Sequence, residues 1–325
     1  MSFGNQQEGI VIPQIDFLQK EKTIDASEIE KVKSTFQNFR IVEIINHGIE
    51  ASLWNNLLKI SKEFFALENS KKEEILMPAD SNSFRGYTPI FQETTQDQKP
   101  NWYELIEFGV DLAEYDPRVL QNKPMFGKNL YPKNNEFFKT TFESYTSKLE
   151  NIGMWVLDLL SLTLGLQQNF FANQIFDESH WQFRILHYPD RKNVTTEHIV
   201  EDEHNYSCDA HTDYGLVTLL QFDEPGLEIQ LPDGTWKKLE LKNNSLICLI
   251  GESIESWTNG FYKALVHRVY TNKERFSFPF FLQPNYDTII KPFTVKESGQ
   301  ITYVGGNFQY GPHGYEKYKK IYRKT

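Results

Sequence analysis

Cysteine is almost absent from this sequence of 325 residues, which contains only Cys208 and Cys248. Two cysteines are too few for the disulfide framework that holds small secreted proteins together. Both lie in apolar sequence of the kind that forms β-strands. We therefore predict two free, buried thiols in a protein of a reducing compartment.

Long apolar segments are also missing. No stretch approaches the roughly 18 consecutive apolar residues of a membrane-spanning helix. Residues 2–8 are polar and have neither the positive charge nor the apolar run of a signal peptide. The sequence therefore predicts no membrane segment and a cytoplasmic location.

Basic residues are in the minority. Lysine and arginine number 34 against 44 aspartates and glutamates, which gives a formal net charge of −10. Because phosphate groups bind to basic surfaces, this balance disfavours nucleic acid as a partner. It disfavours an anionic membrane surface for the same reason. We expect a small-molecule substrate, and a monomer or weak homodimer.

Aromatic residues, in contrast, are abundant, with 25 Phe, 16 Tyr and 6 Trp. They suit a β-rich core and a lined pocket. After Trp181, apolar segments of strand type alternate with turn sequences such as Pro225-Gly226 and Asp233-Gly234, which is typical of a jelly roll or a sandwich. The predicted strands are residues 183–188, 217–222, 227–230, 236–239, 245–250, 264–271 and 276–282.

The first half of the chain mixes helices with strands. Apolar spacing predicts strands over 10–17, 41–45 and 102–109 and helices over 27–37, 52–67, 131–151 and 154–164. A polar segment without periodicity covers residues 78–99. A Lys/Tyr-rich helix over 315–322 is predicted to support packing. We divide the chain into an N-terminal α/β region, 1–175, whose helices support a jelly-roll core, 176–325, as one integrated unit.

Three polar residues suggest a metal site. His211 and Asp213 are two residues apart, so in an extended segment their side chains point to the same face. His267 lies in an apolar, β-prone segment and supplies a third ligand. Two histidines and one carboxylate on one side of a metal leave other positions open, which is the facial triad of non-haem Fe(II) oxygenases. The alternative is a polar network without a metal.

A second pair predicts an anion site beside that triad. Arg275 and Ser277 are again two residues apart on a predicted strand, and both can face the same cavity as His267. A guanidinium fork with a hydroxyl suits a carboxylate. A buried, unpaired arginine is unfavourable, so an anionic partner is expected. The alternative is an arginine paired with a carboxylate of the protein itself.

These motifs resemble the 2-oxoglutarate-dependent Fe(II) oxygenases of the isopenicillin-N-synthase-like family, over nearly the whole chain. The other segments that carry the resemblance are Ile12-Pro13-Gln14-Ile15-Asp16, Asn46-His47-Gly48-Ile49, Phe64-Phe65-Ala66-Leu67, Arg85-Gly86-Tyr87, His187-Tyr188-Pro189 and Trp257-Thr258-Asn259-Gly260. The His-Thr-Asp-Tyr-Gly form, with Trp181 and Arg184 upstream, is more similar to microbial members, including ethylene-forming enzymes, than to plant hormone oxidases.

The resemblance implies a fold and a reaction. The fold is mainly β with flanking helices, a double-stranded β-helix (jelly roll) core and an N-terminal α/β region. The reaction uses Fe(II), 2-oxoglutarate and O₂ to hydroxylate, desaturate or cyclise a small molecule with release of succinate and CO₂. Three alternatives stay open: an Fe(II) oxidase that does not use 2-oxoglutarate, an ethylene-forming-type enzyme, and a catalytically silent small-molecule-binding protein.

The resemblance also implies further site residues. Tyr188 stands where the family has a tyrosine that reaches the co-substrate, with a core tyrosine as the alternative. Arg184 lies on the same strand face, four residues earlier, and is a candidate for binding substrate or co-substrate. Tyr87 and Glu93 are candidates on the pocket rim formed by residues 78–99, which could equally be a plain exposed loop. Tyr214 could touch substrate, although strand alternation turns it away from the metal unless the chain bends.

One departure from the family pattern stands near residue 250. Relatives often have Asn-x-Gly-Asp before the Trp-Thr-Asn-Gly element, whereas this chain has Cys248-Leu249-Ile250-Gly251-Glu252. Gly251 keeps the turn, and Glu252 keeps the charge on a side chain one methylene longer. We expect this change to alter what surrounds the metal ligands, not the ligands themselves.

Overall fold

Two large β-sheets, two two-stranded sheets and a set of helices make up the fold of this computed structural model. It describes residues 9–18, 25–94, 99–133, 135–175, 180–194, 206–240, 244–296 and 299–322. The strands are β1 Gly9–Ile10, β2 Gln14–Asp16, β3 Ile41–Ile45, β4 Gly86–Thr88, β5 Glu104–Gly109, β6 His180–Tyr188, β7 Cys208–His211, β8 Val217–Phe222, β9 Leu227–Gln230, β10 Trp236–Leu239, β11 Leu246–Ile250, β12 His267–Val269, β13 Arg275–Gln283, β14 Ile289–Ile290, β15 Phe293–Val295, β16 Ile301–Tyr303 and β17 Phe308–Gln309. The two-stranded sheets are β14–β17 and β15–β16.

The helices lie mainly in the first half of the chain. They are α1 Ala26–Phe39, α2 Ala51–Phe65, α3 Asn69–Lys72, α4 Pro117–Leu120, α5 Glu136–Thr163, α6 Phe170–Gln174, α7 Glu252–Trp257 and α8 Tyr310–Ile321, with 3₁₀ turns at Glu73–Ile75 and Arg191–Asn193. In the described part of the chain, no helix combines the length and the apolar character needed to cross a bilayer.

Of the two large sheets, the larger has eight strands in the order β2-β3-β11-β8-β13-β6-β5-β4, and the smaller has five in the order β1-β10-β9-β12-β7. One buried apolar cluster contains residues of both sheets, for example Leu186 and Ile247 from the larger and Leu227 and Ile229 from the smaller. The two sheets therefore pack face to face. The predicted mainly β, jelly-roll-type fold with an N-terminal α/β region is confirmed.

Alternation along β13 assigns its residues to the two faces of the larger sheet. Phe276, Phe278, Phe280 and Leu282 belong to the cluster that contains the buried face of α5. Residues at the intervening positions must point the other way, towards the smaller sheet. Arg275 and Ser277, which occupy two of those positions, therefore lie on the inner face.

Helix α5 differs from prediction, because one continuous helix replaces the two expected over 131–151 and 154–164. Gly153 does not break it. A β-carbon at that position would come within 3.0 Å of the Leu282 side chain, so glycine lets the helix pack closely against β13. Gly165, with a φ of +70°, follows the end of the helix as expected.

Other predicted elements differ from the structure mainly in length. The predicted strand over 264–271 shortens to three residues of β12, and the one over 10–17 becomes the two short strands β1 and β2. The C-terminal helix begins earlier than predicted, at Tyr310. Cys208 and Cys248 are free and buried, as the sequence predicts.

Candidate active site

The three predicted metal ligands lie together between β7, β12 and the turn after β7. His211 and His267 face each other directly across the antiparallel β7–β12 pair. Oδ1 of Asp213 is 3.8 Å from Nε2 of each histidine, and one ligand atom from each residue lies within 4.8 Å of the others. The carboxylate reaches this position because the chain leaves the strand after His211, and not because of strand alternation.

Hydrogen bonds orient the ligand atoms towards one point. Nδ1 of His211 lies 2.8 Å from the carbonyl oxygen of Asp209, and Nδ1 of His267 lies 3.2 Å from that of Leu265. A carbonyl can only accept, so Nδ1 carries the proton and Nε2 keeps its lone pair. Thr218 donates to Oδ2 of Asp213 at 2.6 Å, which leaves Oδ1 available. Two imidazole nitrogens and one carboxylate oxygen fit a divalent metal with open positions.

Arg275 places a buried positive charge on the inner face. It is fully buried, and its Nε donates to the carbonyl oxygen of Glu224 at 3.0 Å. Its Nη1 and Nη2 have no hydrogen-bond partner among the residues that the structure describes. Burial lowers the pKa of the guanidinium. A bidentate anion would supply the missing hydrogen bonds and offset the cost of burying the charge.

Tyr188 and Ser277 lie next to Arg275 on the paired strands β6 and β13. Tyr188 is opposite Arg275 in the β6–β13 pairing, and Ser277 is two residues further along β13. Both are buried, and the Arg275 guanidinium carbon is 5.1 Å from the Tyr188 ring centroid. Gly226 lets the backbone approach the Arg275 side chain, because a β-carbon there would lie 3.4 Å from Cδ of Arg275 and 2.8 Å from the carbonyl oxygen of Tyr270. The predicted anion-site residues are therefore neighbours.

A cavity of about 890 Å³ opens beside His211 and Asp213. Arg184 and Tyr214, both predicted as substrate contacts, belong to its wall. Tyr214 faces the cavity because the turn after β7 breaks the alternation that would have turned it away. Burial raises the pKa of Tyr214 to about 12, so its phenol remains a hydrogen-bond donor at neutral pH. The other lining residues are Thr94, Asn101, Tyr103, Cys208, His211, Thr212, Asp213, Phe281, Lys317, Tyr318, Lys319, Lys320, Ile321 and Tyr322.

Arg184 lies between two buried carboxylates. Its Nη1 is 3.0 Å from Oε2 of Glu93, and its Nη2 is 2.8 Å from Oε2 of Glu107. Tyr103 donates to the first carboxylate at 2.7 Å and Tyr322 to the second at 2.6 Å. Burial raises the pKa of Glu107. Both terminal nitrogens of Arg184 are therefore already paired within the protein.

Two predicted rim residues lie elsewhere. Tyr87 is buried in the core beside α2 and donates its hydroxyl to Glu104, which also pairs with Lys72. Tyr87 is not among the residues that line the cavity. Glu93 is buried and reaches the cavity only through its partners Tyr103 and Arg184. Neither residue forms part of an exposed loop.

Sequence reasoning missed Glu107 and the role of α8. Glu107, flanked by the apolar residues Ile106 and Phe108 on β5, was a signal of a buried charge in need of a partner. Helix α8 was expected only to support packing, yet Lys317, Tyr318 and Ile321 line the cavity. No local pattern marks that role, because it depends on contacts with segments far away in the chain.

Comparison with known proteins places these features in a family. Residues 12–134 match a family model described as non-haem dioxygenase in morphine synthesis N-terminal, and residues 180–284 match that of the 2OG-Fe(II) oxygenase superfamily. A probable iron/ascorbate oxidoreductase of Dictyostelium discoideum is 30% identical over 288 residues, covering 83% of this chain and 79% of the relative. The chain belongs to the 2OG-Fe(II) oxygenase superfamily. This oxygenase is also 31% identical over 252 residues to a homoarginine-6-hydroxylase of Oryza sativa subsp. japonica, covering 76% of this chain and 74% of the relative.

Solved structures agree on the fold of the oxygenase. A full-length protein of Neurospora crassa, crystallised with alpha-KG and thymine, has a TM-score of 0.77 at 23% identity, covering 95% of this chain and 97% of that one. JOX2, crystallised with 2OG, Fe and JA, has a TM-score of 0.76 at 20% identity, covering 97% and 87%. Family and fold together make the protein a 2-oxoglutarate-dependent non-haem iron dioxygenase that uses Fe(II), 2-oxoglutarate and O₂.

Proposed function

We propose that His211, Asp213 and His267 hold Fe(II), and that Arg275, Ser277 and Tyr188 hold 2-oxoglutarate. The observation that carries this assignment is the buried fork of Arg275, which has two nitrogens without a partner in the described part of the chain. It lies on the inner face of the sandwich, towards the sheet that bears both histidines. In this proposal a dicarboxylate with a keto group occupies both places, one end at the metal and the other at the guanidinium.

Each residue has a distinct role in this proposal. The two histidines offer Nε2 to the metal, because their Nδ1 protons are held by backbone carbonyls. Asp213 offers Oδ1, because Thr218 occupies Oδ2. The guanidinium of Arg275 binds the far carboxylate of 2-oxoglutarate through its fork, and the hydroxyls of Ser277 and Tyr188 donate to the same group. Burial of these three residues excludes water from the carboxylate.

The reaction we propose as the default is hydroxylation. Bound Fe(II) lets O₂ oxidise 2-oxoglutarate to succinate and CO₂ while the second oxygen atom enters a C–H bond of the substrate. The protein orients the substrate so that one C–H bond faces the metal. Tyr214 lines the cavity next to the ligands, and we propose that its phenol touches the substrate. Arg184 also lines the cavity, but its terminal nitrogens are paired with Glu93 and Glu107, so we propose that it holds that wall in place.

The substrate that we propose is a small polar molecule. The cavity volume of about 890 Å³ is within the range of small-molecule sites. Asn101 and Tyr214 supply an amide and a phenol on its wall. The homoarginine in the name of the rice relative and the thymine bound to the Neurospora crassa protein are also small and polar.

Two experiments test the proposal. Anaerobic titration of the protein with Fe(II) and then 2-oxoglutarate should show saturable binding of both, and His267→Ala should abolish the first. Purified enzyme with Fe(II), ascorbate and 2-oxoglutarate should then form succinate, faster with one member of a panel of amino acids and nucleobases that includes L-homoarginine and thymine. No binding of 2-oxoglutarate to the Fe(II)-loaded protein would contradict the assignment before any substrate is known.

A further inference from the structure

One carboxylate joins the turn that carries a metal ligand to the wall of the cavity. Thr212, which lies between His211 and Asp213, donates its hydroxyl to Oε1 of Glu252 at 2.6 Å. Oε2 of Glu252 accepts a hydrogen bond from Nζ of Lys317 on α8. The two oxygens of a single side chain therefore contact two segments about a hundred residues apart.

The backbone places Glu252 where it can make both contacts. Its own amide donates to the carbonyl oxygen of Asp213 at 2.8 Å, and the amide of Ser253 donates to that of Gly215 at 3.0 Å. The start of α7 is therefore fixed to the turn after β7 independently of any side chain. The side chain of Glu252 adds the connection to α8.

Helix α8 also touches the same turn through aromatic contacts. The Lys317 ammonium lies 4.7 Å from the ring centroid of Tyr214, and the Tyr318 ring packs edge-on against Tyr214 at 5.8 Å. At its other end, the carbonyl oxygen of Ile321 accepts a hydrogen bond from the amide of Thr94 at 2.8 Å. The helix thus connects the metal-binding turn to Thr94, which also lines the cavity.

We propose that Glu252 and Lys317 are positioning residues that couple the Thr212–Asp213 turn to α8. The pair holds the turn in the conformation in which Asp213 meets the two histidines, and it holds the cavity wall at a fixed distance from them. The coupling is reciprocal, because a contact that restrains one segment through the other restrains both. The proposal rests on the proposed role of His211 and Asp213 as ligands.

A purely structural role for the pair would predict that its loss lowers the thermal midpoint of unfolding, whereas the proposed positioning role does not. The side chains of Glu252 and Lys317 are each 26% exposed, and partly exposed ion pairs contribute little to the free energy of unfolding. Loss of the pair should therefore leave the thermal midpoint nearly unchanged. A faster amide exchange in the turn would then reflect the lost connection to α8 and not a lower stability of the whole fold.

Hydrogen exchange of the metal-free protein decides between these roles. Lys317→Met keeps the length of the side chain and removes its charge, and it should raise the amide exchange rates of both α8 and residues 210–215 severalfold. Lys317→Arg should restore the wild-type rates. The matched control is Lys128→Met, which removes an exposed ion pair with Glu114, a residue that like Lys128 does not line the cavity, and it should change neither segment. A rise confined to α8 would overturn the proposal.

The reciprocal variant leaves the sequence of α8 intact. Thr212→Val removes the hydroxyl that Glu252 accepts, and it should raise exchange in α8 although it touches no residue of that helix. The double variant with Lys317→Met should then resemble the single variants, because both break the same connection. Unchanged exchange in α8, or additive effects in the double variant, would show that the segments are independent.

These exchange measurements need neither iron nor a substrate. Their outcome is therefore separate from that of the binding and turnover tests described above. The coupling also predicts that Lys317→Met binds Fe(II) more weakly than the wild-type protein. The loss should not exceed about tenfold, because removing a direct hydrogen-bond partner of a metal ligand already costs at least that much. Lys317→Arg should restore this affinity as well.

Discussion

The hydroxyl of Thr218 lies 2.6 Å from Oδ2 of Asp213, on the buried strand β8 next to the turn that carries the carboxylate. Removing a hydrogen-bond partner of a metal ligand commonly weakens metal binding by about 10- to 100-fold. We predict that Thr218→Val weakens Fe(II) binding to this extent, as measured by anaerobic titration. Thr146→Val, which removes a buried hydroxyl bonded within α5, is the control and should bind Fe(II) normally.

Arg275→Lys tests the anion site, because it keeps the charge and removes the fork. A hydrogen bond to a charged group contributes about 1.5–3 kcal/mol, so the KM for 2-oxoglutarate should rise about 10- to 100-fold. The rate of succinate formation, measured at increasing 2-oxoglutarate concentrations, gives this KM. Arg118→Lys, at an arginine paired with Asp116 outside the cavity lining, should leave KM unchanged. An unchanged KM in Arg275→Lys would show that Arg275 does not bind 2-oxoglutarate.

Arg184→Met should destabilise the fold, because it leaves Glu93 and Glu107 buried without their cation. Breaking a buried ion pair by removing one partner costs about 3–5 kcal/mol. Urea unfolding of the metal-free protein measures this loss. Adding Glu93→Gln and Glu107→Gln to the same variant removes the uncompensated charges and should recover most of the loss. No recovery would mean that Arg184 acts mainly through packing.

His180 should make the protein sensitive to acid. Burial lowers the pKa of this histidine to about 3, well below the usual value of about 6.5. The folded state favours the neutral imidazole. The free energy of unfolding therefore keeps its full value above about pH 6.5 and decreases as the pH falls towards 3. At 1.36 kcal/mol per unit, moving from pH 7 to pH 5 should cost about 2 kcal/mol through this group alone.

His180→Gln should reduce that loss. Urea unfolding at pH 7 and pH 5 gives the difference for the wild-type and variant proteins. His313→Gln, at an exposed histidine on α8, is the control and should keep most of the wild-type difference. An equal difference in wild type and His180→Gln would show that other groups account for the acid sensitivity.

The predicted site residues that the structure brings together by local geometry are those with short spacings. His211 and Asp213 are close in the chain, and Arg275 and Ser277 share one strand face, so local geometry brings each pair together. The jelly-roll type follows from regular strands and turns. His267 is more distant. Its apolar, β-prone segment predicted it as the third ligand, whereas its position opposite His211 follows from the register of the β7–β12 pair, which the sequence did not predict.

The elements that the sequence does not predict depend on long-range pairing. Arg184 meets Glu107 because β5 and β6 are antiparallel neighbours with those two residues in register, and no spacing reveals that pairing. Helix α8 reaches the cavity by contacts with Thr94 and Tyr214. The single long α5 depends on how Gly153 packs against Leu282. In each case tertiary contacts override what local patterns favour.

The opposed positions of His211 and His267 on adjacent strands have a consequence for the lifetime of the enzyme. A metal held by both would act as a cross-link between β7 and β12, and these strands could separate only after releasing it. Free energy of metal binding then adds directly to the resistance of this region to opening. Under iron starvation, a larger fraction of the molecules would expose this edge to proteases, and enzyme abundance would follow the iron supply.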